Sequence, residues 1–172
     1  MLVVISGLPG TGKTAVATEV ARDLGAVQLS IDTVEDALLG AGFPRSWSTG
    51  VAAYEAVRAV AEQNLDLGRT VVVDAVNDSE PARDTWRSAV ATTGTPLVFV
   101  LLSLDDEDEH RRRLEGRKSN LRNVLEPTWD EVRRRRATFE PWSDVDFRVS
   151  ASGTLQQVTA VILARLSTTP TR

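Results

Sequence analysis

The sequence of 172 residues has no cysteine. Disulfides, thiolate metal sites and cysteine nucleophiles are excluded at once, and a cytosolic location fits that absence. Long apolar runs are missing too: the longest, LVFVLL at 97–102, is far too short to cross a bilayer. The first residues carry no basic segment and run straight into a glycine-rich motif, so no cleavable signal is expected. The formal net charge of −4 supplies no general electrostatic pull toward nucleic acid or an anionic membrane. Lysine is nearly absent. Of 20 basic residues only Lys13 and Lys118 are lysines, so arginine does the basic work elsewhere.

What is present suits a folded soluble protein: 42% hydrophobic and 26% charged residues, in a length that fits one domain over 1–172. No internal repeat, low-complexity tract or linker divides the chain. The segments LVVIS (2–6), AVQLS (26–30), RTVVVDA (69–75), PLVFVLLSL (96–104) and DFRVS (146–150) read as strands. Helices are expected over about 13–24, from Asp32, over about 50–67, 80–93, 105–116 and 128–139, and through LQQVTAVILARL. Continuously apolar strands alternating with helices describe an α/β domain, a parallel sheet with helices on both faces.

Residues 7–14 read GLPGTGKT and match G-x-x-x-x-G-K-[ST], between a strand and a helix. Gly7, Leu8, Pro9, Gly10, Thr11 and Gly12 form a loop whose backbone N–H groups can point at phosphate oxygens, with the helix N-terminus adding its dipole. Lys13 is placed to reach the β- and γ-phosphates, and the Thr14 hydroxyl to ligate Mg²⁺. The motif predicts a bound nucleoside triphosphate, and leaves open whether its terminal phosphoryl group goes to water or to an organic acceptor.

Further absences bear on that choice. There is no N-K-x-D guanine-reading motif and no LSGGQ-like signature, and the Asp74 that ends VVVDA is followed by alanine rather than glutamate. Without an evident water-activating carboxylate, transfer to an acceptor is the better reading. Transfer needs a base, a cation clamp and a lid that excludes water.

Asp32, in QLSIDTVEDAL, follows the second strand, where strand ends line the ligand crevice of a parallel sheet. It is either a base for an acceptor hydroxyl or the N-cap of the next helix. Asp74 is positioned to orient Mg²⁺ or to hold a substrate hydroxyl, the alternative being a turn cap. Asn77 and Arg83 follow closely enough to reach an acceptor, unless they are turn and surface groups. In HRRRLEGRKSNLR (110–122), Arg111, Arg112 and Arg113 stand four residues after three acids, so much of the run reads as an ion-paired helix face. Arg117 and Arg122 lie beyond those acids and are the candidate phosphate clamp, in a lid over about 115–130. The run RRRR at 133–136 follows Asp130 and Glu131 and also reads as a charged face, and His110 as a surface residue among charges. Of four tryptophans, Trp47 in the loop FPRSWSTG is the one best placed to touch an acceptor, the others reading as packing anchors.

Taken together, GLPGTGKT, LSIDTVEDAL, VVVDAVN and the arginine-rich segment resemble the small P-loop kinase-like proteins of the AAA_33 group (zeta toxin and chloramphenicol phosphotransferase-like), up to about residue 149. The resemblance implies a P-loop NTPase fold of nucleoside-monophosphate-kinase type, a five-stranded parallel sheet in the order 2-3-1-4-5, and transfer of the ATP γ-phosphate to a hydroxyl. It implies Lys13 and Thr14 as the Walker A pair, Asp32 as the acceptor-activating carboxylate and Arg117 as a lid arginine, with Arg113 or Arg122 beside it. The spacer LGAGFPRSWSTG (39–50) has one arginine and two aromatics, which suits a small, partly apolar acceptor. The expectation is an ATP- and Mg²⁺-dependent phosphotransferase acting on a small molecule. The alternatives are a polynucleotide or RNA 5′-kinase, disfavoured by the acidic net charge, and an ATP-hydrolysing regulatory switch.

Overall fold

All of the expected strands form, and all pair in parallel. In the computed structural model, which describes residues 1–117 and 120–168, β1 (Leu2–Ser6), β2 (Val27–Ser30), β3 (Val71–Ala75), β4 (Leu97–Ser103) and β5 (Phe147–Ser150) make one sheet in the order 2-3-1-4-5. Leu2 at the start of β1 stands opposite Val71 of β3 and Leu97 of β4. Every residue of β1 and β3 is buried, as a central strand covered on both faces requires.

Side chains of period two divide the core between the faces. Val3, Ile5 and Val100 pack against α1 (Lys13–Leu24) and α7 (Leu155–Thr168), through Val16, Val20 and Ile162. Leu2, Val4 and Phe99 pack on the other face, against Ala53 and Val57 of α3 (Trp47–Asp66) and Trp86 of α4 (Glu80–Thr93). Each buried Val, Leu, Ile or Phe side chain among these contributes about 1.5–3 kcal/mol.

The helix leaving β1 thus covers one face and the helix leaving β3 the other, although β1 and β3 are neighbours. A crevice opens where the connections part, at the carboxyl ends of these strands. Four elements frame it: the loop after β1, the loop after β3, α2 (Ile31–Gly40), and the pair α5 (Glu107–Gly116) and α6 (Trp129–Ala137).

Two helix starts differ from the sequence expectation. The Ser46 hydroxyl accepts from the Thr49 N–H at 3.2 Å, so α3 begins at Trp47 and that tryptophan is helical, not in a loop. α2 begins at Ile31, with Ser30 in the cap position, so Asp32 is not the N-cap. Among the described residues no helix is long and apolar enough to cross a membrane.

Candidate active site

The phosphate loop is shaped by what lies beneath it. Gly7 has φ +145° and Gly10 φ +88°, conformations that side chains rarely adopt. A Cβ on Gly7 would lie 2.6 Å from the Leu102 carbonyl oxygen, and one on Gly10 would lie 3.1 Å from both the His110 ring and the Leu114 side chain. His110 is therefore no surface residue: it is fully buried under the loop. The Arg136 guanidinium, which can only donate, lies 2.7 Å from its Nδ1, so Nε2 carries the proton and donates to the Pro9 carbonyl at 2.7 Å. Trp129 meets the imidazole edge-on, with ring centroids 5.3 Å apart. Burial lowers the His110 pKa; the Pro9 bond opposes that and the Arg136 charge reinforces it. A neutral imidazole of fixed tautomer thus holds the loop.

Above the loop lies a cavity of ≈ 470 Å³ whose walls include Lys13, Thr14, Asp32, Arg113 and Arg117. These expected site residues are brought together. The Lys13 ammonium is nearly buried and donates to the Leu8 carbonyl at 3.3 Å. Burial lowers its pKa, Asp32 and Asp74 pull it back up, and Arg117 and Arg135 push it down. Asp74 is buried at the end of β3; burial raises its pKa, and the nearby Thr14 and Ser30 hydroxyls and the Lys13 charge oppose that rise. The Ser30 side chain makes no cap hydrogen bond to α2.

Oδ1 of Asp74 is buried and has no hydrogen-bond partner among the described residues. A buried carboxylate oxygen left open beside a threonine hydroxyl fits the outer side of an Mg²⁺ ion whose remaining ligands are phosphate oxygens and water.

Asp32, the second residue of α2, is half-buried at the cavity wall, and Glu35 follows one turn on. Burial and the Asp32 charge raise the Glu35 pKa, against the pull of Arg45 and Arg135. Glu35 and Arg135 thus belong to the charged surroundings of the site, and neither was singled out in the sequence.

The lid arginines separate. Arg117 pairs with Glu126 at 2.9 Å, while Arg113 donates to Glu109 at 2.7 Å and to the Ala151 carbonyl at 2.9 Å. Arg122 is exposed and does not line the cavity. Its backbone N–H donates to Asp36 Oδ1 at 2.9 Å, as do those of Asn123 at 2.6 Å and Val124 at 3.0 Å. These bonds hold the Asp36 carboxyl below its ordinary pKa and fasten residues 122–124 of the expected lid segment to α2. Lys118 and Ser119 of the expected lid lie outside the described residues.

A second cavity, of ≈ 650 Å³, shares the phosphate loop at Pro9 and is walled by Arg45, Asp78, Glu126, Arg134 and Arg135, among others. Here residues 133–135 form an exposed charged face and Arg133 pairs with Asp130 at 4.0 Å, but the expected four-residue pairs of Asp130 with Arg134 and Glu131 with Arg135 do not form. Arg135 reaches Asp78 at 3.1 Å, Arg136 reaches Glu107 at 3.0 Å, and Glu131 turns back onto Thr128. In α5, too, Arg113 alone meets an acid four residues behind it: Arg111 bonds forward to Glu115 and Arg112 bonds Glu109.

Three expected acceptor contacts are placed away from both cavities. Trp47 is 84% exposed and lines neither. Asn77 is fully buried: its amide donates to Ser6 Oγ at 2.8 Å and its Oδ1 accepts from the Trp86 indole at 2.9 Å. Arg83 is also fully buried, donating to the carbonyls of Asn77 at 3.1 Å, Glu140 at 2.7 Å and Pro141 at 2.8 Å. Its guanidinium lies 4.4 Å from the Trp142 ring centroid. Asn77 ties the turn after β3 to β1 and α4, and Arg83 ties it to the segment after α6, so their donors are consumed by the fold.

A glycine-rich loop cradled at the centre of a 2-3-1-4-5 parallel sheet, with its lysine and threonine turned into a cavity at the strand ends, defines a P-loop protein of the nucleoside-monophosphate-kinase architecture. The chain belongs to the AAA_33 family, described as an AAA domain, whose model matches residues 2–141. A comparison with curated proteins finds no match. Among solved structures, an unliganded sugar kinase from Janibacter sp. HTCC2649 superimposes with a TM-score of 0.74 at 19% identity, over 98% of this chain and 95% of that one. The Mycobacterium tuberculosis APS kinase CysC, in complex with AMPPNP and APS, has a TM-score of 0.74 at 22% identity, over 97% of each chain. A gluconokinase from Sinorhizobium meliloti 1021 has a TM-score of 0.69 at 20% identity, over 96% of this chain and 90% of that one. At such identities the likeness is one of fold.

Proposed function

We propose that the protein transfers the γ-phosphoryl group of ATP to a hydroxyl of a small molecule. The observation that carries this reading is that Asp32 lines the same cavity as Lys13 and Thr14, with a second cavity opening from the same loop. The loop N–H groups and Lys13 bind the β- and γ-phosphates, and Arg117, with Arg113 beside it, offsets charge on the moving phosphoryl oxygens. Thr14, with Asp74 behind it, would hold Mg²⁺, which neutralises phosphate charge when bound. Asp32 accepts the proton of the acceptor hydroxyl. The acceptor oxygen bonds to the γ-phosphorus as the bond to the bridging oxygen breaks, and ADP leaves with that electron pair. The similarity in fold to a sugar kinase, a gluconokinase and an APS kinase supports a small acceptor.

The test is incubation with Mg²⁺ and γ-labelled ATP, with and without a small-molecule cell extract, and Lys13→Ala as the blank. Label in a new organic product, absent with Lys13→Ala, is the expected result. Label released only as inorganic phosphate, unchanged by the extract, would refute transfer in favour of hydrolysis.

A further inference from the structure

Once existing ion pairs are counted, Arg45 and Arg134 stand against the single remaining charge of Glu131, so the wall of the larger cavity keeps a positive surplus. Its three acids are already committed. Asp78 pairs with Arg135, Glu126 pairs with Arg117, and Glu131 closes a capping box on Thr128, which holds its carboxyl below the ordinary pKa. Two arginines of the same wall, Arg45 and Arg134, have no carboxylate partner at ion-pair distance among the described residues. Arg45 donates to the backbone carbonyl of Asn123, and the Arg134 guanidinium makes no hydrogen bond among those residues. Both side chains are exposed to the cavity's solvent rather than packed away.

The position of this surplus matters. Pro9 of the larger cavity and Gly10 of the smaller are consecutive in the phosphate loop, and Arg45 donates to the carbonyl of Asn123, whose N–H bonds Asp36 of α2, the helix that carries Asp32. The Arg117–Glu126 pair joins the same two cavities through the lid. A molecule that reaches from the larger cavity past the phosphate loop into the smaller one therefore meets Arg45 and Arg134 in the first and the Asp32 carboxylate in the second.

We propose that the acceptor is an acidic small molecule, whose anionic group is bound by Arg45 and Arg134 while its hydroxyl is presented to Asp32. Planar guanidinium forks bind carboxylate or phosphate oxygens in pairs, and two of them fix a flexible acceptor at one end. This goes beyond the partly apolar acceptor that the spacer sequence suggested, because Trp47 lies outside the cavity while Arg45 of the same spacer lines it. The assignment rests on the phosphotransferase reading above.

The experiment separates the two. A small-molecule cell extract, freed of protein and nucleic acid, is divided by anion exchange into retained and unretained fractions. Each is incubated with the protein, Mg²⁺ and γ-labelled ATP. Labelled organic product from the retained fraction is expected, with Arg45→Ala/Arg134→Ala lowering its formation by about tenfold or more while the Kd for ATP stays unchanged. Pretreating that fraction with a phosphatase, then removed, tells the anions apart: lost activity identifies a phosphate ester, retained activity a carboxylate or sulfate. Product from the unretained fraction alone would overturn the acidic acceptor and leave the kinase reading standing. A retained-fraction product formed equally fast by the double variant would overturn the assignment of its anionic group to Arg45 and Arg134. No organic product from either fraction would overturn the kinase reading, and this assignment with it.

Discussion

Replacing His110 by alanine removes a fully buried ring from under the phosphate loop. Truncating a buried ring costs about 3–5 kcal/mol through lost burial and the cavity left behind, and the Pro9 carbonyl and Arg136 lose their bonds as well. Because that void adjoins the ≈ 280 Å³ pocket that His110 and Arg136 already line, water can enter and satisfy the freed groups. A total of about 3–5 kcal/mol is therefore expected, not the larger sum. At about 2–4 °C per kcal/mol for a chain of this size, Tm should fall by roughly 6–20 °C.

The pH dependence is an independent check. The folded state lowers the His110 pKa, so it binds fewer protons than the unfolded chain below the ordinary value of 6.5. Stability from this residue is then complete above that value and erodes as pH falls beneath it. Thermal unfolding of both proteins from pH 5 to 8 should show a gap that is widest at the alkaline end. A His110→Ala protein melting within about 2 °C of the wild type would refute the pillar role, as would a gap that widens toward acid.

Asp32→Asn should preserve nucleotide affinity and lower transfer by about 10²–10⁴-fold, the span usual for removal of a general base; normal transfer would remove that role from Asp32. Arg83→Ala should destabilise by about 3–5 kcal/mol in a melting experiment, since it abandons three buried carbonyls, and should leave the acceptor KM unchanged. A raised KM with normal stability would return Arg83 to the acceptor site. Gly7→Ala should weaken ATP binding in a titration, because its Cβ would meet backbone 2.6 Å away, whereas at Gly12 a Cβ meets nothing within 4 Å and only the φ strain remains. Equal losses from the two alanines would show that strain alone, and not the Leu102 contact, sets the requirement.

The residues that could be read from sequence are those whose role is local. GLPGTGKT carries its own geometry, and Asp32 and Asp74 announce themselves by standing where apolar strands end. The core strands were legible because burial on both faces leaves unbroken apolar runs. Arg83 gave no such signal. It sits in the first turn of a helix, three residues after Glu80, and looks like half of a surface ion pair, which it also makes at 2.9 Å. What buries it is a segment 57 and 58 residues further on. His110 is the same case at longer range, since its partner Pro9 is 101 residues away. Periodicity placed both on charged helices; only the return of the chain decides that they face inward. The Asp36 contact with the lid is likewise set by backbone groups, whose direction no side-chain pattern records.

The near absence of lysine turns the phosphate site into something that can be watched in isolation. With ¹³C-lysine incorporated, the whole protein carries two side-chain spin systems, from Lys13 and Lys118. The Lys13 signal comes from an ammonium pressed between burial and two carboxylates, so its chemical shift reports proton occupancy at the one point where a triphosphate would add its charge.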